Sequence, residues 1–253
     1  MFRPRIIPCL LLKEKGLVKT VKFRIPTYVG DPINAIKIFN EKYVDELIFL
    51  DIEATVKGYT PQFEIIEKIA KECFMPVCYG GGIKNIETIK KILNIGIEKV
   101  SISSQAVSDP DFVKAASLEF GSQSIVVTID VKKSYLNKYE IVTHNATRYT
   151  GLDPVKFASQ MEEKGAGELL INSVDRDGMM GGYDIDLISK ITNKVNIPVI
   201  ASSGAGKLDD MRDVILKAKV SSAAAGSLFV FYGKLRAVLI NYPEQKELEA
   251  LFN

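Results

Sequence analysis

Eight short apolar runs constrain this chain more than any other feature: Ile6–Leu12, Glu46–Leu50, Pro76–Tyr79, Lys99–Ile102, Ser124–Ile129, Glu168–Ile171, Pro198–Ala201 and Ser222–Ala225. Most are continuous, not alternating, as parallel strands covered on both faces require. Helical patterns lie between them. Pro61 is expected to open a helix whose Phe63, Ile66, Ile69 and Ala70 share one face. Asn85 caps a stretch carrying Ile86, Ile89, Ile92 and Leu93, and Gly96 stops it. Asp109-Pro110 and Asp153-Pro154 open two more helices. Eight strand–helix alternations over 253 residues predict an α/β fold, a single (β/α)8 TIM barrel domain over 1–253. A doubly wound open sheet is the rival, but no G-x-G-x-x-G follows the first run.

Composition narrows the chemistry. Lysine and arginine number 33 against 31 acidic residues, a balance that points away from nucleic acid and membrane partners. The sole histidine is His144, and the cysteines are Cys9, Cys73 and Cys78 without a CxxC pair. No metal site, no cofactor and no disulfide framework is expected, and the reduced thiols fit a cytoplasmic protein. Acid–base work then falls to Asp, Glu, Lys, Tyr or Cys. The apolar start resembles a signal peptide, but Pro8 interrupts it and Lys13-Glu-Lys15 follows, so it reads as a buried strand.

The two halves echo each other. Met75-Pro-Val-Cys-Tyr-Gly-Gly-Gly-Ile-Lys84 resembles Ile197-Pro-Val-Ile-Ala-Ser-Ser-Gly-Ala-Gly-Lys207, and the strands that follow end in Ser103-Ser104 and Gly226-Ser227. Two similar half-barrels would each carry a small-residue cluster at strand carboxyl ends, where backbone N–H groups can approach a phosphate. One cluster alone reads as a tight turn; two in matching places point to a substrate with a phosphate at each end. Asp51, Asp130, Asp175 and Asp177 also stand at strand ends, as helix caps or as general acids and bases. Asp130 is the leading candidate, because it ends a largely apolar strand that can desolvate it. The stretch Lys13–Asp31, with Lys19 among its basic residues, reads as either a solvated loop or a basic lid that closes on a phosphate. Arg5, Glu46, Lys99 and Glu168 begin four of the strands, a spacing that can gather them in one layer at the barrel floor.

These residues carry a resemblance over essentially the whole chain. The segments are Arg5-Ile-Ile-Pro-Cys-Leu10, Gly30-Asp-Pro32, Asp45-Glu-Leu-Ile-Phe-Leu-Asp51, Gly80-Gly-Gly-Ile83, Lys99-Val-Ser-Ile102, Phe120-Gly-Ser-Gln123, Asp130, Gly165-Ala-Gly-Glu168, Asp175-Arg-Asp-Gly178-x-x-x-Gly182-Tyr-Asp184 and Ile200-Ala-Ser202. The chain resembles the cyclase subunit of imidazole glycerol phosphate synthase, the HisF barrel of histidine biosynthesis. The resemblance implies a glutaminase subunit docked at the amino-terminal face, near Glu98 and Gln123. Ammonia would pass a gate of Arg5, Glu46, Lys99 and Glu168 and travel up the barrel to a ligand bearing two phosphates. It carries catalytic roles to Asp51, Asp130 and Asp177, and phosphate or substrate contacts to Lys19, Gly81, Gly82, Ser103, Ser104, Asn172, Gly178, Ser203, Gly204, Gly226 and Ser227.

The departures from that pattern are specific. The family pairs the aspartate matching Asp130 with another at the end of the first strand, and here that position is Leu11. Ser203 stands where glycine is usual, Ser103-Ser104 replaces asparagine-threonine, and Asn172 replaces threonine. Leucine has no proton to transfer, so cyclisation of the family's usual substrate at a useful rate is not expected. The run Cys9–Phe23 resembles a paralogous branch associated with surface-polysaccharide and lipopolysaccharide biosynthesis. That likeness implies a third protein, an ATP-using sugar amidotransferase, with the barrel conducting ammonia to a phosphosugar or sugar-amidation reaction. The alternatives are a true cyclase subunit and a non-catalytic phosphate-binding scaffold.

Overall fold

The computed structural model describes residues 3–233 and 235–252. Its centre is a closed barrel of eight parallel strands: β1 (Arg5–Lys13), β2 (Leu47–Asp51), β3 (Val77–Gly80), β4 (Lys99–Ile102), β5 (Ile125–Lys133), β6 (Glu168–Ser173), β7 (Val199–Ser202) and β8 (Ser222–Ala225). Neighbours pair in chain order, and β8 closes on β1 with Arg5 opposite Ser222 and Ile7 opposite Ala224. The expected (β/α)8 architecture is therefore the observed one.

Local chemistry sets the helices. Asp31 caps Pro32–Glu41 by accepting from Asn34 N at 3.0 Å, and Asn85 caps Ile86–Ile95 by accepting from Thr88 N at 2.8 Å. Asp153 accepts from both Val155 N and Lys156 N ahead of Pro154–Glu163. One start differs from expectation: the helix Phe63–Glu72, between β2 and β3, begins behind Gln62, and buried Pro61 precedes it and packs beneath Gly82.

Two apolar shells follow from the strand period of two. Inside the barrel, Ile7, Cys9, Ile48, Cys78, Val126, Leu170, Ile200 and Ala224 form one cluster. Outside, the opposite strand faces meet the helices through fully buried Ile36, Phe39, Phe49, Ile66, Ile89 and Leu187. Each such side chain contributes about 1.5–3 kcal/mol on burial. Among the described residues no helix is long and apolar enough to cross a membrane.

The stretch Lys13–Asp31 is not a solvated loop. It is an antiparallel hairpin, Gly16–Val21 against Arg24–Gly30, that continues β1 beyond the barrel mouth. Its Leu17, Val18, Lys19 and Thr20 are all buried. β5 carries a matching extension, Tyr139–Thr143 and Arg148–Tyr149. The two half-barrels thus repeat a hairpin at their first strands, and Phe23 of one hairpin packs with Val142 and Ala146 of the other.

Candidate active site

The carboxyl ends of the strands surround one cavity. Lys19, Asp51, Gly81, Gly82, Ser103, Ser104, Asp130, Asn172, Asp177, Gly178, Ser203, Gly204, Gly226 and Ser227 all line it, as does Leu11. The sequence-derived mouth residues therefore converge, and their surroundings sort them.

Asp130 faces the cavity from β5. It accepts from Asn172 Nδ2 at 2.8 Å and from Ser103 Oγ at 3.4 Å. Desolvation outweighs those two bonds and lifts its carboxyl to about 6. Leu11 occupies the corresponding place on β1, 8% exposed, and brings no titratable group.

Asp51 and Asp177 are more heavily committed. One Asp51 oxygen accepts from Glu53 N at 2.9 Å, Ala54 N at 3.0 Å and the Tyr59 hydroxyl at 3.1 Å. This is the helix-cap role, although burial still raises its pKa. Asp177 Oδ2 accepts from Thr20 Oγ1 at 2.6 Å and Phe23 N at 3.1 Å, so it clasps the β1 hairpin to the segment after β6. Gly178 continues that clasp against the Thr20 carbonyl. Asp175 accepts from Lys133 N at 2.9 Å and serves the base of the β5 hairpin.

The glycine clusters are shaped for close approach. Gly82 has φ +70° and sits too near Ala54 Cβ to carry a Cβ of its own. In the matching half-barrel Ser203 takes φ +73° and Gly204 +118°. The serine therefore holds a left-handed conformation that costs a non-glycine residue about 1–2 kcal/mol. Lys19 is 6% exposed, and its Nζ lies where a Cβ on Gly226 would be. Among the described residues it makes no salt bridge. A buried lysine thus stands at the Gly226 side of the Gly204/Gly226/Ser227 cradle.

Sequence reasoning missed the turn His144-Asn145-Ala146. All three residues are left-handed, with φ between +53° and +59°, and none is glycine. Asn145 Nδ2 ties the turn to Ile52 O at 2.8 Å, and His144 lines the cavity. The available signal was that the chain's sole imidazole lay in the connection between the strand of Asp130 and the helix opened by Asp153-Pro154.

At the opposite end, Arg5 bridges Glu46 and Glu168, and Lys99 bridges the same two carboxylates at 3.1 and 3.0 Å. The four form a closed, neutral ring across β1, β2, β4 and β6. Burial alone would lower the pKa of Arg5 and Lys99, but the paired carboxylates outweigh it and raise both. Asp45, also missed, braces the ring by accepting from Arg3 and from Ile6 N. Glu98 is exposed at this face and accepts from Val77 N at 2.8 Å, and Gln123 is exposed beside it.

Between floor and mouth the lumen is largely apolar. Burial lifts the Cys9 thiol to about 11 and raises Cys78 further, so both stay protonated. The polar exceptions are the Ser101–Thr128 hydroxyl pair and Ser222, whose fully buried hydroxyl has no hydrogen-bond partner among the described residues. Ser222 shares the inward face of β8 with Ala224. Among the described residues no group of three or more His, Cys, Asp or Glu is gathered as metal ligands would be.

Residues 5–236 match the family described as "Histidine biosynthesis protein". A Pseudomonas aeruginosa protein named "Putative imidazole glycerol phosphate synthase subunit hisF2" is 51% identical over 249 residues, 98% of this chain and 99% of its own. A Leptospira borgpetersenii protein whose name ends "subunit HisF" is 49% identical over the whole of both chains. A Vibrio vulnificus protein, "subunit hisF3", is 50% identical over 98% of this chain and 95% of its own.

Proposed function

The chain belongs to the histidine biosynthesis protein family, and from that premise we propose that it is the barrel subunit of a glutamine amidotransferase system. A glutaminase docks at the amino-terminal face around Glu98 and Gln123. Ammonia enters through the ring of Arg5, Glu46, Lys99 and Glu168 and crosses the lumen past Ser222 and the Ser101–Thr128 pair. It reaches a phosphorylated ligand at the mouth, or a third, sugar-amidating protein beyond it. Phosphates rest on the cradles at Gly81–Gly82/Ser103–Ser104 and at Gly204/Gly226/Ser227, the second beside Lys19.

One observation carries this reading. The floor ring is complete, whereas Leu11 in the mouth gives Asp130 no second carboxylate to share acid and base roles with. A complete route beneath an incomplete acid–base pair fits conduction better than cyclisation. The test is to mix the untagged barrel with the glutaminase encoded beside it. A complex and raised glutamine hydrolysis are expected, both weakened by Glu98→Lys or Lys99→Glu. No complex at micromolar concentration, with both proteins folded, overturns the proposal.

Asp130 favours a second reading, the true cyclase. A carboxyl lifted to about 6 is suited to proton transfer near neutrality. One acid–base group typically contributes about 10²–10⁴-fold, so the loss at Leu11 should defeat this activity. Complementation of a histidine auxotroph lacking its cyclase should fail; growth at a normal rate would establish the second reading.

A further inference from the structure

The two cradles at the mouth differ in their cations. Among the described residues lining the cavity, the basic side chains are Lys19 and His144. Lys19 stands at the Gly226 cradle. His144 belongs to the opposite quarter: Asn145 anchors its turn to Ile52 O, directly after β2, and Gly81 packs on Asp51 next to it. His144 thus lines the cavity on the β2 side, and Lys19 lines it at the Gly226 cradle.

The surroundings of that imidazole are basic. The positive charges of Arg148, on its own hairpin, and Lys84, on the segment after β3, both act on it. Its Nδ1 meets Thr143 Oγ1 at 3.0 Å. Three carboxylates face the same cavity; Asp177 accepts from Thr20 Oγ1 and Phe23 N, and the other two are also occupied. Asp51 is bonded to Glu53 N, Ala54 N and Tyr59, and Asp130 to Asn172 and Ser103. None of the three forms an ion pair with His144 among the described residues. Burial first, then Arg148 and Lys84, hold the imidazole below its ordinary pKa of 6.5. An arriving anion would reverse that balance, since it neutralises the very charges that oppose protonation.

We propose that His144 is a specificity residue for an anionic group, of the phosphate monoester class, on the Gly81–Gly82 cradle, contacting it as imidazolium after taking up one proton from solvent. The inference rests on the reading that the cavity binds phosphates. It gives the two ends of a two-phosphate ligand different treatment: a lysine at one and a proton-dependent imidazole, His144, at the other. The turn of three left-handed residues, anchored by Asn145 to Ile52 O, holds His144 in the cavity lining on the β2 side.

The single histidine makes the test direct. In untagged protein carrying labelled histidine, one imidazole is followed by NMR from about pH 5 to pH 8, with and without sulfate, an anion that does not titrate in this range. Without sulfate the midpoint should lie below 6.5. With saturating sulfate it should rise by about one unit, which makes sulfate binding about ten-fold tighter at the acid end than at the alkaline end. His144→Asn should remove most of this pH dependence while the Gly82 amide still responds to sulfate. Because Asp130 also titrates in the cavity, Asp130→Asn serves as control, and the His144 midpoint should still rise in it. If the Gly82 amide responds while the His144 midpoint stays fixed, the inference is wrong and the phosphate reading survives. If neither the Gly82 nor the Gly204 amide responds to sulfate or phosphate, the phosphate reading itself fails and takes the inference with it.

Discussion

At the barrel floor Arg5, Glu46, Lys99 and Glu168 satisfy one another completely. At the mouth Lys19 has no salt-bridge partner among the described residues, and Asp130 holds a desolvated carboxyl on two hydrogen bonds. The ends also differ in backbone. Three of the floor residues sit on regular strands and Glu46 directly precedes one, whereas Ser203 and the turn at His144–Ala146 hold left-handed conformations without glycine. A closed set of charges stabilises the fold but has nothing left to offer a ligand. Unmatched charges and strained turns destabilise the fold, and what they leave free is what a ligand can bind. The contrast agrees with the general division of labour in such barrels, stability below and chemistry above. The exposed flanks of the ring are an addition: Arg5 and Lys99 side chains are 31% and 20% exposed, enough for a docked partner to reach them.

Breaking the floor should have the largest effect. Glu46→Ala leaves Arg5 and Lys99, both partly exposed, to share Glu168 alone. Removing one partner of a fully buried ion pair costs about 3–5 kcal/mol, and the partial exposure of the two cations puts the expected loss at the lower end, about 3 kcal/mol. Denaturant unfolding of the variant should show that loss with an unchanged slope. A loss below about 1 kcal/mol would mean that the ring is hydrated and loose, and the contrast between the two ends would disappear.

Relieving the mouth should act in the opposite direction. Asp130 has a folded pKa of about 6 against an ordinary 3.8, so the folded state holds its proton longer than the unfolded state does. Stability from this group is therefore full below about pH 4 and falls as pH rises to about 6. At neutral pH the charge costs about 2 kcal/mol once solvent access through the open cavity is allowed for. Asp130→Asn keeps an acceptor for Asn172 Nδ2 and should stabilise the protein by that amount at pH 7. Near pH 4 the gain should vanish. An equal effect at both pH values would show that packing, not charge, distinguishes the variant.

The lumen, between the two ends, is the intermediate case. Ser222 buries a hydroxyl with no partner among the described residues, and such a group costs about 1–3 kcal/mol. Ser222→Ala should therefore raise stability by about 1 kcal/mol. If the proposed ammonia route is correct, it should also slow transfer from glutaminase to acceptor. A stability gain with transfer unchanged would make Ser222 a bystander in the lumen.

Much of this division was legible in the chain, and the exceptions have physical causes. Continuous apolar runs located all eight strands because both faces of each are covered. The spacing of Arg5, Glu46, Lys99 and Glu168 put them in one layer because each begins a strand. The hairpin at Gly16–Val21 was hidden by Lys15, Lys19 and Lys22, whose charges read as solvent-facing while Lys19 points inward. The clasp of Asp177 was invisible because Thr20 lies 157 residues away, and no local pattern couples two loops that meet only over the closed barrel. His144 carried no periodic signal at all; only the fold shows that its turn bends back over β2.

Ser203 gives the smallest and most discriminating test of strain at the mouth. Its φ of +73° suits glycine, so Ser203→Gly removes a local penalty of about 1–2 kcal/mol in the folded state. The glycine also loosens the unfolded chain, which costs about 0.4–1 kcal/mol in the other direction. The net should be a gain of a few tenths of a kcal/mol, near the limit of a careful urea titration. Ligand binding is the more sensitive readout. Without the side chain, the amides around Gly204 become open to a phosphate from one more side, and sulfate affinity at the Gly204 cradle should rise two- to three-fold while the Gly82 cradle stays unchanged. If affinity falls instead, the Ser203 hydroxyl is itself a ligand, and the substitution relative to the family pattern is an adaptation of the site to its ligand, not a tolerated strain.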